Sequence, residues 1–223
     1  MNREAIISEL EREKIIVIVR GYTGETLLKL AEAMYAGGVR FMEVTYDHGG
    51  TFSMEDTARD IAMLVRHFEG RMHIGAGTVL TTDEVEATYK AGGEYIISPN
   101  VNTTVIKRTR ELGMLSMPGA FTPSEAQTAH ESGADFVKLF PVDALGPSYV
   151  KAIKAPLCHI KMLAVGGVNE KNLGAYLAAG ASGFGIGSNI VNKKMIAEGN
   201  FEGITTLAKT FLASLARAES EAK

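Results

Sequence analysis

The sequence has a single cysteine, Cys158, among 223 residues, which excludes an intrachain disulfide and any cysteine-rich zinc site. No apolar stretch approaches the ~20 residues needed to cross a bilayer. The opening MNREAIISELEREK is charged and helix-like and has no apolar core resembling a secretion signal. Together with the lone thiol, this points to a reduced cytoplasmic setting. Neither sign of charge dominates: 23 basic and 26 acidic residues leave a net charge of -3, spread along the chain. That balance gives no reason to expect nucleic acid or an anionic membrane as a partner. The five histidines (His48, His67, His73, His130 and His159) show neither HxH nor HExxH spacing, so neither a metal site nor another cofactor is expected. No proline- or serine-rich linker divides the chain, and residues 1–223 are read as one domain.

What is present is alternation. Short apolar or β-branched runs recur at 15–19, 39–45, 73–77, 94–98, 114–119, 135–140, 160–165 and 182–187, separated by amphipathic segments that often end in glycine. Eight such βα units fit a (β/α)8 barrel, with a leading helix over 2–12 and a trailing helix over about 200–219 as additions. In that architecture side chains alternate between the barrel interior and the surrounding helices, and chemistry sits at the C-terminal ends of the strands.

The sixth run, DFVKLF, is the unusual one. Alternation puts Phe136, Lys138 and Phe140 on the inward face, with Val137 and Leu139 against the helices. A screened amine has its charged form disfavoured and can attack a carbonyl; the alternative is a lysine whose buried stem carries its head to the rim. In the second run, FMEVT, Glu43 shares the inward face with Phe41 and Thr45. It could shuttle protons for that amine, or merely neutralise it. The first run ends in Arg20, which offers a two-pronged fork for a carboxylate or a surface ion pair.

Glycine-rich turns follow the seventh and eighth runs, AVGGVNEKN and FGIGSNI. Turns at those two positions are the usual phosphate site of such barrels, with Ser188 as an added donor; tight strand–helix packing is the other explanation. Thr78 ends the third run, IGAGT, facing the pocket, and Thr82 or Asp83 is expected to cap the next helix. Pro99 shapes the pocket wall after the fourth run; His48, just past the Glu43 strand, is within reach of the pocket but is read as a loop histidine.

The segments AGGVRFMEVT, IGAGTVL, SPN, PG, VKLFP, AVGGV and GSNI stand in this order and spacing. In this the chain, from about residue 10 to 195, resembles the 2-keto-3-deoxy-6-phosphogluconate (KDPG) / 4-hydroxy-2-oxoglutarate (KHG) aldolase family. The resemblance implies a class I aldolase, usually trimeric, that cleaves 2-keto-3-deoxy sugar acids to pyruvate and an aldehyde through a lysine Schiff base. It assigns the Schiff base to Lys138, acid–base work to Glu43 and a pocket wall to Phe140. Thr78 and Pro99 would line the pyruvate end, and Gly166, Gly167, Gly187 and Ser188 would bind the substrate phosphate. Two positions depart from the phosphogluconate pattern: Asp47 stands where an arginine binds the pyruvate carboxylate, and Val165 where a threonine precedes the double glycine. AVGGV and GPSYVKAIK look closer to the branch acting on the galactonate epimer, which implies Arg20 as the carboxylate ligand. The rival readings are another phosphate-binding barrel, an isomerase or decarboxylase, and an inactive barrel that binds sugar phosphates.

Overall fold

The computed structural model describes residues 3–221. Its strands are β1 (Ile15–Val19), β2 (Phe41–Thr45), β3 (His73–Gly77), β4 (Tyr95–Ile97), β5 (Leu115–Met117), β6 (Gly119–Ala120), β7 (Val137–Leu139), β8 (Met162–Val165) and β9 (Gly183–Ile186). They form one sheet in the order β5-β4-β3-β2-β1-β9-β8-β7-β6, and the paired strands are parallel. β5 and β6 are two pieces of one run parted at Pro118, which has no N–H to give to a ladder. On one side of that run the Ser98 N–H donates to the Met117 carbonyl (3.3 Å); on the other the Lys138 N–H donates to the Pro118 carbonyl (2.9 Å). The sheet therefore returns on itself, and the expected (β/α)8 barrel is what the chain forms.

The helices are α1 (Arg3–Glu13), α2 (Gly24–Ala36), α3 (Met54–His67), α4 (Thr82–Lys90), α5 (Thr103–Glu111), α6 (Pro123–Glu131), α7 (Gly146–Lys154), α8 (Leu173–Ala178), α9 (Lys193–Ala197) and α10 (Phe201–Glu221). The leading and trailing helices appear where the sequence puts them; Asn2, the first residue of the expected leading helix, lies outside the described residues. One cap is corrected. Thr81, not Thr82 or Asp83, caps α4: its hydroxyl accepts from the Glu84 N–H (3.3 Å) and Glu84 Oε2 accepts from the Thr81 N–H (3.0 Å). The reciprocal pair needs an acid three residues after the cap: Thr82 has Val85 there, and Glu86, three after Asp83, pairs with Arg108 instead.

The alternation sorts side chains as expected. Val17, Met42, Val44, Ile74, Ala76, Ile96, Val137, Leu139, Met162, Ala164, Phe184 and Ile186 pack outward into the layer shared with the helices. Ile16, Phe41, Tyr95, Ile97, Leu115, Met117, Phe136, Leu163 and Val165 fill the interior, where they meet Ile6, Ile7 and Leu10 of α1. α1 thus lies across one end of the barrel as a stopper. Full burial of each of its aliphatic side chains is worth about 1.5–3 kcal/mol. Polar bonds fix it as well. Arg3 Nε donates to Asp135 (3.1 Å), Lys161 pairs with Glu11 (2.8 Å), and His73 lies between Glu9 (3.1 Å) and Glu94 (2.6 Å).

Candidate active site

Parallel strands all end at the same side of the barrel, so their terminal inward residues converge at the mouth opposite α1. β7 contributes Lys138, 8% exposed, and β2 contributes Glu43, 1% exposed. Among the described residues no carboxylate lies within ion-pairing distance of the Lys138 amine, and Glu43 Oε2 has no hydrogen-bond partner. Thr45 Oγ1, two residues on, is likewise buried and unpartnered. The two groups interact electrostatically without closing into an ion pair. Buried unpaired polar atoms are rare, and two of them stand here on one strand beside the lysine.

The electrostatics favour neutral forms on both sides. Burial pushes the Lys138 amine below the ordinary lysine range; Glu43 opposes this shift and Arg20 adds to it. Burial also pushes the Glu43 carboxyl up, against the pull of Lys138 and Arg20. A low-dielectric interior disfavours each charge more than its partner restores it. Of the two phenylalanines on the lysine face, Phe140 is the neighbour, with its ring centroid 5.0 Å from the amine. Phe136 lies deeper, in the apolar interior below it.

Arg20 closes the mouth from the end of β1. Its Nη2 donates to Thr78 Oγ1 (2.7 Å), and it has no carboxylate partner among the described residues. Thr78 takes φ +58°, a left-handed conformation that is a true outlier for a β-branched residue and costs roughly 1–3 kcal/mol. Pro99 ends the adjoining segment with its backbone against Gly119. Asp47 turns out to be a loop brace. It accepts the N–H groups of Gly49 (2.8 Å), Thr51 (2.7 Å) and Phe52 (3.0 Å), which hold its carboxyl below the usual range.

The glycine turns stand beside each other at the far rim. Gly166 and Gly167 both have positive φ (+99° and +68°), which glycine adopts without strain. Asn189 of the second turn donates to the Val168 carbonyl of the first (2.8 Å), and Asn172 fixes the Gly167 carbonyl (2.9 Å). The backbone N–H groups of Gly167, Val168, Ser188 and Asn189 make no hydrogen bond among the described residues. Such a set of free amides suits an anion. Grooves on the outer wall, such as one of about 540 Å³ between α2 and α3, lie away from these groups. It is chemistry, not groove size, that marks the site.

Comparison with known proteins decides the family. The KDPG and KHG aldolase family profile matches residues 6–207. The chain belongs to that family. It is 39% identical over 184 residues to a protein of Rhizobium meliloti (strain 1021) named "Probable 2-dehydro-3-deoxy-6-phosphogalactonate aldolase", covering 82% of this chain and 84% of that one. A solved native KDPGal structure superposes with a TM-score of 0.83 at 34% identity, covering 92% and 96% of the two chains. The KDPG aldolase of Legionella pneumophila, solved with pyruvate captured at low pH as a covalent carbinolamine intermediate, superposes with a TM-score of 0.82 at 28% identity, covering 95% and 98%. The protein is thus a class I aldolase, a carbon–carbon lyase.

The sequence reading missed the neighbourhood of His48. Its Nε2 lies 2.9 Å from the Thr78 carbonyl and 3.5 Å from Glu84 Oε1. Thr78 has positive φ, and no local pattern announces a left-handed threonine.

Proposed function

We propose that this aldolase cleaves the 6-phosphorylated 2-keto-3-deoxygalactonate epimer to pyruvate and glyceraldehyde 3-phosphate, with Lys138 forming the Schiff base and Glu43 moving the protons. The observation that carries the reading is a buried amine and a buried carboxyl that feel each other's charge without being closed into an ion pair. Val165 before the double glycine and the galactonate-type relatives support the epimer.

Neutral Lys138 Nζ adds to the C2 carbonyl to give a carbinolamine. Protonated Glu43 gives its proton to the departing hydroxyl, water leaves, and an iminium remains. The Glu43 carboxylate, directly or through that water, then takes the proton of the C4 hydroxyl. The C3–C4 bond breaks, its electrons pass to the iminium, and the aldehyde is released. The enamine takes the same proton back at C3, and hydrolysis frees pyruvate and the amine. Burial serves each step: it shifts the amine toward its neutral, nucleophilic form and the carboxyl toward its protonated form.

Arg20 holds the pyruvate carboxylate, and Thr78 and Pro99 line that end. Phe140 walls the pocket. Gly166, Gly167, Gly187 and Ser188 receive the phosphate; a Cβ on Gly187 would meet nothing within 4 Å, so its face is open to a ligand. The same reading takes the enzyme to be a cytoplasmic homotrimer, as the family resemblance implies. The test is borohydride reduction in the presence of pyruvate. A reduced pyruvyl adduct on Lys138 in a peptide map is expected. No adduct there overturns the reading, as it would for an isomerase or an inactive barrel.

A further inference from the structure

Thr78 and His48 meet at the tip of β3. The hydroxyl of Thr78 accepts from Arg20 Nη2 (2.7 Å), and its carbonyl lies 2.9 Å from His48 Nε2. A carbonyl oxygen only accepts, so Nε2 carries the proton in that bond. Beside that bond, Glu84 Oε1 lies 3.5 Å from the same nitrogen. The other oxygen of Glu84 is committed to the cap of α4, where it accepts from Leu80 N–H (2.7 Å) and Thr81 N–H (3.0 Å). The loop that bears His48 is braced from within by Asp47 and its three backbone donors. A continuous chain of contacts therefore runs from a fixed helix cap, through His48 and Thr78, to the guanidinium at the mouth.

The strain in Thr78 gives that chain its purpose. A β-branched residue at φ +58° relaxes toward extended backbone unless its surroundings hold it. In relaxing it would swing Oγ1 away from Arg20. We infer that His48 is a positioning residue: by holding the Thr78 carbonyl it keeps the threonine left-handed, and the threonine hydroxyl then aims the Arg20 fork at the substrate carboxylate. The inference rests on the assignment of Arg20 made above. His48 does not touch the reacting carbons; its effect passes through Arg20.

The test uses full-length His48→Ala, His48→Gln, Arg20→Met and the His48→Ala/Arg20→Met double variant. Each is assayed for KM and kcat with the keto-acid substrate, and for the pyruvate concentration giving half-maximal borohydride trapping. His48→Ala is expected to raise KM and the half-trapping concentration roughly fivefold, the worth of one hydrogen bond. Its kcat should stay within about twofold of wild type, since only ground-state positioning is lost. His48→Gln, whose side-chain amide can stand in for Nε2–H, should recover most of the loss. In the Arg20→Met background, His48→Ala should add nothing. A full further increase in that background means His48 acts on its own and overturns the inference. So does an unchanged KM in His48→Ala when Arg20→Met alone raises it. If Arg20→Met itself traps pyruvate normally, the Arg20 assignment fails first and the inference falls with it.

Discussion

A Cβ on Gly77 would sit 2.2 Å from Glu43 Oε1, so the carboxylate of β2 occupies the space that a side chain on β3 would fill. Gly75 does the same for the Tyr95 ring, where a Cβ would come within 2.2 Å of a ring carbon. The glycines of GAGT are vacant sites for neighbours' side chains. Gly77→Ala should therefore displace Glu43 and lower kcat at least as far as removal of the carboxylate does. Overpacking there costs about 1–3 kcal/mol, so the variant should still fold. Turnover close to wild type, with a folded circular dichroism spectrum, would show that Glu43 does not need this position.

Lys138→Met should abolish aldol cleavage and borohydride trapping while leaving the barrel intact. Methionine keeps the stem volume, so the packing change is under about 1.5 kcal/mol. The sign of the pH effect follows from the lowered amine pKa. Wild type carries the burden of holding an amine neutral, and that burden grows as pH falls below the ordinary lysine value of 10.5. The variant should melt at or above the wild-type temperature at neutral pH. A melt far below it would mean that the lysine is structural.

Glu43→Gln should slow turnover by roughly 10²–10⁴, the usual contribution of a positioned acid–base group. Adduct trapping under saturating pyruvate should survive at a lower rate, because the amine remains. If the carboxyl only tunes Lys138, the variant will show a displaced pH optimum with nearly full activity at that optimum.

The other end of the barrel predicts a stability effect. Burial disfavours charge on the His73 ring, but Glu94 and Glu9 together outweigh it and raise its pKa above 6.5. A raised folded-state value gives stability that is fully present below the unfolded value and is lost as pH climbs through the folded one. His73→Phe, which keeps the stack on Phe41 (centroids 4.5 Å apart), should be less stable than wild type at low pH. The two melting curves should converge as pH climbs from about 6.5 through the raised folded-state value. A constant difference across that range would remove the charge from the account.

The barrel was legible because strand and helix periods alternate cleanly, and inward residues announce themselves when they are polar among apolar neighbours, as Lys138 and Glu43 are. Where geometry rather than composition decides, the reading fell short. The Thr81 cap was missed by a residue because two threonines and an aspartate compete, and only the partner Glu84 discriminates. Phe136 and Phe140 share a face two residues to either side of Lys138, yet only the Phe140 ring lies beside the amine, while Phe136 joins the apolar interior. Asp47 looked like a missing cation; in three dimensions it is a turn carboxylate that bonds forward to its own loop. The left-handed Thr78, and with it His48, depends on backbone torsion that no spacing encodes.

Among the described residues, α1 covers the lower end of the barrel and leaves the mouth as the way in. On the proposed chemistry, the covalently held three-carbon fragment sits on Lys138 deep in that blind channel, while the phosphorylated fragment lies between it and the exit. Products must then leave in a fixed sequence, aldehyde before keto acid. Run backward, the enzyme must load pyruvate first, and an excess of aldehyde standing in the doorway should obstruct it.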